Sequence, residues 1–190
     1  VSVRDFGVAL DRPYYVARHV PGRDLSEGAH DAALRAVVED VTRALAYLHA
    51  AGLRHGDVKP ANVIVTTDGR GVLIDLGCAA AIGSPAGTIS GTPGFLAPEL
   101  LAGDPADGRA DLYALGRTLE ALGVNDAELA SLAETMRAED PKDRPVDADR
   151  SNVKALQVWC AFHDMTQYRV WTRGSRRRNA WPMSRNFSAC

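Results

Sequence analysis

The chain has 190 residues, of which 46% are hydrophobic and 24% charged, with a formal net charge of −2, as in a soluble globular protein long enough for one core and an appendage. Its three cysteines, Cys78, Cys160 and Cys190, are too few and too scattered for a disulfide framework or a four-ligand zinc site, which favours a reducing compartment. No apolar run approaches the roughly 20 residues that span a bilayer, and the charged opening VSVRDFGVALDR lacks the apolar stretch of a signal peptide, so a cytoplasmic protein is expected.

Tyr14-Tyr15-Val16-Ala17 is a short β-type run that ends in a turn at Pro21-Gly22. From Asp31, the residues Leu34, Val38, Val41, Leu45 and Leu48 recur at alternating steps that share one helical face, which predicts a core-facing helix. Asp31 would cap it and Gly52 would stop it. Val63-Ile64-Val65 and Val72-Leu73-Ile74 then flank TTDGRG, whose Asp68-Gly69 pair marks a tight hairpin turn. A turn centred between Asp68 and Gly69 would set Asn62 opposite Asp75 at the open end of the hairpin. The following GCAAAIGSPAGTISGTPG has little periodicity and reads as a mobile loop. Two more helices are expected over Asp111 to Leu122 and Asp126 to Arg137, after which DPKDRP ends regular structure.

From Arg150 onward eight basic residues face one acid, Asp164, a local +7 that leaves −9 on the preceding residues. This shift places a composition boundary near Arg150. Residues 1–149 are expected to form one domain, and residues 150–190, a basic stretch holding Trp159, Trp171 and Trp181, a disordered or non-native continuation. Nothing in that stretch makes a strong case for nucleic acid or a membrane as partner.

The chemistry concentrates in HGDVKPANV, residues His55 to Val63. A carboxylate able to take a hydroxyl proton, a nearby cation, and two oxygen ligands brought together by a hairpin are what phosphoryl transfer requires. In that reading Asp57 is the base, Lys59 stabilises charge on the moving phosphoryl group, and Asn62 with Asp75 binds magnesium. Taken singly, Asp57 or Asp75 is more simply a turn or capping aspartate, Asn62 a turn residue, and Lys59 a solvated lysine. Their order and spacing together favour the catalytic reading.

The same stretch resembles the catalytic loop of the eukaryotic-type, bacterial-like serine/threonine protein kinases. Asp75-Leu76-Gly77 is similar to their metal-binding DFG triplet, and GTPGFLAPE, Gly91 to Glu99, to the end of their activation segment. YYVARHVPGRDL, Tyr14 to Leu25, resembles the hinge between lobes; DLYALG, Asp111 to Gly116, the helix that anchors the catalytic loop; and DPKDRP the closing motif. The resemblance covers roughly Val1 to Pro145. It implies an α+β fold, a mainly α-helical large lobe with a short β-hairpin at the active site and a remnant of the small lobe. It also implies transfer of the ATP γ-phosphate to serine or threonine hydroxyls of a protein substrate, with ATP and Mg2+ as cofactors. By resemblance Ala17, Arg18, His19 and Val20 bind the nucleotide, Thr92 sits near the acceptor, Arg144 pairs with Glu99, and Asp111 holds the catalytic-loop backbone.

Departures from the family pattern carry their own implications. Gly56 stands where the family has an arginine, which removes the main cation that reads a phosphorylated activation loop and argues against that mode of activation. Leu76 replaces the phenylalanine of the triplet, and the substrate-docking helix region is short. No glycine-rich loop, VAIK-like lysine or partner glutamate precedes the hinge, although these cover and clamp ATP in the family. Two alternatives therefore remain beside the kinase: a non-catalytic pseudokinase-like binding module, and a small-molecule phosphotransferase of the aminoglycoside type, whose loop HGD also resembles.

Overall fold

The expected first helix forms as α1, Asp31–Ala50, in a computed structural model that describes residues 3–28, 31–84 and 90–146. Thr88 and the basic stretch from Arg150 lie outside the described residues. Leu34, Val38, Val41 and Leu45 are buried as the spacing predicts, and Val37 widens the stripe. Gly52 ends the helix with φ +77°, a left-handed conformation that glycine adopts without strain, and its N–H bonds back to the His49 carbonyl at 2.9 Å. Asp31 falls on the first residue of the helix rather than before it, a difference within the usual uncertainty of helix ends.

Ahead of α1, strands β1 (Val3–Ala9) and β2 (Arg12–Ala17) form an antiparallel hairpin. Leu10 and Asp11 turn it, both with positive φ, as a two-residue hairpin loop demands. The β-type run at Tyr14 is thus one arm of a hairpin whose other arm carries no strong alternation in sequence.

Strand β3 (Gly22–Asp24) opens the large lobe, and after α1 comes β4 (Leu53–Arg54). The predicted hairpin is β5 (Val63–Thr66) and β6 (Gly71–Leu73), and β3 pairs with the outer side of β5. Its register corrects the expectation for Asn62 and Asp75. Val63 lies opposite Leu73 and Val65 opposite Gly71, so the turn is centred on Asp68 and Asn62 faces Ile74. The cause is turn chemistry: the Gly69 N–H bonds the Thr66 carbonyl at 2.9 Å while Gly69 takes φ +76°. This is a three-residue loop with a left-handed glycine, not a two-residue turn. Asp75 therefore lies one residue past the pairing.

The glycine- and alanine-rich stretch is also corrected in part, because its start forms β7 (Ala80–Ala81), paired with β4. A short helix α2 (Pro98–Ala102) follows, then α3 (Arg109–Ala121) and α4 (Ala127–Met136), the last capped by Asp126 through the N–H groups of Glu128 and Leu129. DPKDRP ends regular structure in a single 3₁₀ turn, Pro141–Asp143.

The core lies between α1, α3, α4 and the inner face of β5, with Leu45, Leu115, Leu119, Leu129 and Val63 all but inaccessible. Each such side chain contributes about 2 kcal/mol of transfer free energy. Helices α3 and α4 meet at Gly116, where a Cβ would sit 2.9 Å from the Ala133 carbonyl oxygen. Two buried valines, Val58 and Val63, pin both ends of the stretch that carries the candidate chemistry. The architecture is α+β, mainly helical, with small sheets at one edge.

Candidate active site

The loop from His55 to Asn62 is held from below by one carboxylate. Asp111, in the first turn of α3 and 1% exposed, accepts the His55 N–H on Oδ2 at 2.7 Å and the Gly56 N–H on Oδ1 at 2.9 Å. His49, near the end of α1, reaches the same Oδ2 through Nε2 at 2.8 Å. A buried carboxylate is tolerated here because these donors replace water. The fully buried His55 ring completes the floor: its Nδ1 accepts the Asp57 N–H at 3.3 Å, so Nε2 carries the proton and donates to the Ile74 carbonyl at 3.0 Å. That bond ties the loop to the hairpin arm that leads into Asp75.

Asp57 projects from this floor, 8% exposed. Its Oδ1 accepts the Thr92 N–H at 2.9 Å and the Thr92 hydroxyl at 2.7 Å. Its Oδ2 accepts the Asn62 amide at 3.0 Å and lies 2.8 Å from Lys59 Nζ. Lys59 Nζ also donates to the Thr92 hydroxyl at 2.6 Å, closing a ring of three side chains. Burial alone would push the Asp57 carboxyl up, but the bonds and charge of Lys59, with the bonds from Thr92 and Asn62, outweigh it and hold the group below its ordinary range. Asp57 is therefore an ionised, oriented acceptor at neutral pH.

Asn62 is brought back under Asp57 by the 3₁₀ turn Pro60–Asn62, and its amide nitrogen also donates to the Asp57 carbonyl at 2.8 Å. Both bonds use nitrogen, which leaves Oδ1 as the atom able to ligate a cation. Asp75 is exposed, takes φ +66°, and accepts the Gly77 N–H on Oδ1 at 3.0 Å. The two residues are linked through the bond from the Ile74 N–H to the Asn62 carbonyl, 2.9 Å. Mg2+ takes few protein oxygens and fills its octahedron with water and phosphate, so one amide oxygen and one carboxylate are a donor set that fits it.

Further from the loop, Arg144 and Glu99 form a two-pronged pair, Nη1 to Oε1 at 2.7 Å and Nη2 to Oε2 at 2.9 Å. Ala17 and Val20 are half-buried and Arg18 and His19 exposed, in the link between β2 and β3. Asp57, Lys59, Asn62 and Thr92 thus converge on one point, Asp111 supports it, Asp75 flanks it, and Glu99 with Arg144 stands apart. Two participants carry no role in the sequence reading: His49 and His55. The two histidines sit in LHAAGLRHGD, where only their proximity to Asp57 hinted at the floor they build.

A family model described as the protein kinase domain matches residues 19–146. The chain is 36% identical over 159 residues to the serine/threonine-protein kinase PknJ of Mycobacterium tuberculosis, covering 69% of this chain and 27% of that protein. It is 38% identical over 120 residues to the serine/threonine-protein kinase PknG of Mycobacterium leprae, covering 59% and 15%. With PknD of Mycobacterium tuberculosis it shares 42% identity over 88 residues, 44% of this chain and 13% of that one. The chain thus spans about a quarter or less of the length of these relatives.

Proposed function

Because the chain belongs to the protein kinase family, we propose that it carries the phosphoryl-transfer face of a serine/threonine protein kinase, using ATP and Mg2+ on a protein substrate. The convergence of Lys59, Asn62 and Thr92 on the ionised Asp57 carries this reading. An acceptor hydroxyl arriving at Asp57 meets a carboxylate already turned by four donors, so it is oriented and deprotonated without reorganisation of the site. Lys59, bridging Asp57 and Thr92, puts a positive charge where the acceptor oxygen enters. Thr92 holds the activation segment against the loop, so acceptor and base are assembled together. Asn62 Oδ1 and Asp75 would hold Mg2+, and residues 17–20 would line the nucleotide site. When bound, Mg2+ neutralises charge on the nucleotide phosphates. Asp111, His49 and His55 keep the loop in register and touch no substrate.

We place the chain in the cytoplasm, where ATP is available. No helix among the described residues is long and apolar enough to cross a membrane.

The test is transfer from radiolabelled ATP to a serine/threonine substrate protein. It is best made with the chain fused behind a segment that carries the glycine-rich loop and lysine with which kinases cover and clamp ATP. Asp57→Asn should lower turnover by about 10²-fold or more while leaving the melting temperature near that of the parent. Unchanged turnover would overturn the assignment of Asp57.

A further inference from the structure

We infer that Arg117 selects the acceptor: the site favours a serine or threonine with an aspartate or glutamate two or three residues away. The inference rests on the reading of the site as a protein kinase and names the chemistry of its substrate. Arg117 lies in α3 with its side chain 36% exposed, and its Nε donates to the Gly94 carbonyl at 2.9 Å. Thr92, two residues before Gly94, bonds Asp57 through both its N–H and its hydroxyl. One short stretch of chain thus borders the base at one end and the guanidinium at the other. Two residues of extended chain span about 7 Å, so a substrate with its hydroxyl at Asp57 carries its second or third neighbour to Arg117.

The surface over that stretch is open. Pro93 and Gly94 are exposed, while Phe95 packs against the core. Gly94 takes φ +90°, and among the described residues no atom lies within 4 Å of where its Cβ would stand. A glycine with nothing over that face admits another chain close to its backbone.

Positive charge is in surplus here. Arg117 Nη1 and Arg137 Nη1 both bond Glu120, one to each carboxylate oxygen. Two guanidinium groups share a single carboxylate, and neither meets a second acid among the described residues. Arginine keeps its charge at any working pH, so one positive charge is left over. Arg137 is fixed by its packing on Gly116, where a Cβ would stand 2.8 Å from Arg137 Cγ, and its Nε is enclosed without a partner. Nη2 of Arg117 makes no bond among the described residues, which leaves part of a rigid donor fork unspent. A carboxylate passing over Gly94 meets that fork and the surplus charge together. A lysine or arginine in the same place meets repulsion, which sharpens the choice.

Peptides with one serine, and a single glutamate or glutamine at each nearby position on either side of it, are compared as substrates of the fused chain. On one side, glutamate at the second or third position should raise kcat/KM about 5-fold over glutamine, as a half-exposed ion pair does, and the gain should lie in KM. Arg117→Gln should abolish that preference, and Glu120→Gln, which frees both arginines, should increase it. Equal use of the peptides by the parent overturns the inference and leaves the kinase reading standing. So does an Arg117→Gln variant that is slower on every peptide in the same proportion, which would make Arg117 only a tie to Gly94. If Arg117→Gln does not fold, Glu120→Gln decides, since an unchanged preference overturns the inference. If no peptide is phosphorylated, the kinase reading fails and binding decides instead. The same peptides, with alanine for serine and a fluorophore at one end, should bind the chain about 5-fold tighter with glutamate by fluorescence anisotropy, and equal affinities overturn the inference.

Discussion

Replacing Arg144 by methionine tests how the two halves of the lobe are joined, because the structure makes the cost lopsided. The Arg144 side chain is fully enclosed, the Glu99 side chain 10% exposed. Besides its two bonds to Glu99, the guanidinium donates to the carbonyls of Ala138 at 2.7 Å, Glu139 at 3.0 Å and Arg109 at 3.3 Å, and it stacks 4.8 Å above the centre of the Tyr113 ring. Methionine matches much of the stem but strands a carboxylate and three carbonyls in a dry place. Removing one partner of a buried pair costs about 3–5 kcal/mol. Glu99→Gln is milder, since the amide oxygen still accepts from the guanidinium and the arginine keeps its carbonyls, and should cost about 1–2 kcal/mol. For a chain of this size the arginine variant should melt about 6–20 °C lower. Urea unfolding followed by far-ultraviolet circular dichroism measures both, with the m-value checking that the unfolded state is unchanged. Equal costs, or an arginine variant within about 1 kcal/mol of the parent, would refute the argument that this pair is a dry tie rather than a surface ion pair.

Gly56→Ala forces a side chain into left-handed backbone and onto the Cys78 carbonyl; a loss of about 2 kcal/mol or more is expected, and a melting temperature equal to the parent's would show that the β4–β7 corner yields freely. Asp111→Asn keeps one acceptor and turns an amide toward an N–H, so phosphate transfer by the fused chain should fall about 10-fold or more through the loss of the loop's geometry, while unaltered turnover would mean that the loop holds itself. Acid stability follows from Asp40: burial pushes its carboxyl up, but Arg70 and the Gly71 N–H hold it below the ordinary range. A carboxylate lowered on folding contributes fully above about pH 4 and loses that contribution as pH falls through its folded value. Urea midpoints should therefore drop more steeply below about pH 4 in the parent than in Asp40→Asn, and parallel curves would clear Asp40 of the effect.

What was legible in the sequence is what local chemistry decides. The spacing of Leu34, Val38, Val41 and Leu45 marks α1 because a helical face must be buried, and Asp126 with Gly52 marks helix ends because each satisfies orphan backbone groups. The hairpin was legible as an element but not in register. DG favours a two-residue turn, yet Thr66 bonds Arg70 across a three-residue loop with Oγ1 adding a further bond to the Arg70 N–H, and a single-residue change moves Asn62 from Asp75 to Ile74. Strands β1 and β7 were illegible because their stability comes from the partner strand, not from alternation in their own residues. The grouping of Asp57, Lys59 and Asn62 could be read from the chain because they lie within one short loop. Thr92 and Asp111 could be assigned only through the family pattern, since nothing local in GTPG or DLYALG says which loop they approach. His49 and His55 were missed for the opposite reason, as buried histidines that bond a carboxylate and a backbone carbonyl look like ordinary core residues until the contacts are seen.

The order of dependence within the site follows from these contacts. Asp57 owes its orientation to Thr92, Lys59 and Asn62, but the backbone that presents it is fixed by Asp111 and His55, neither of which reaches the reacting face. The loop's two backbone N–H groups, at His55 and Gly56, end on a single carboxylate of α3, and α3 is seated by Leu112, Leu115 and Leu119 in the core. Packing between α1, α3 and α4 therefore sets the position of the base to within a hydrogen bond. A cavity cut at Leu115, far from any substrate, should loosen the loop as well as the core, since the carboxylate that holds it moves with the helix.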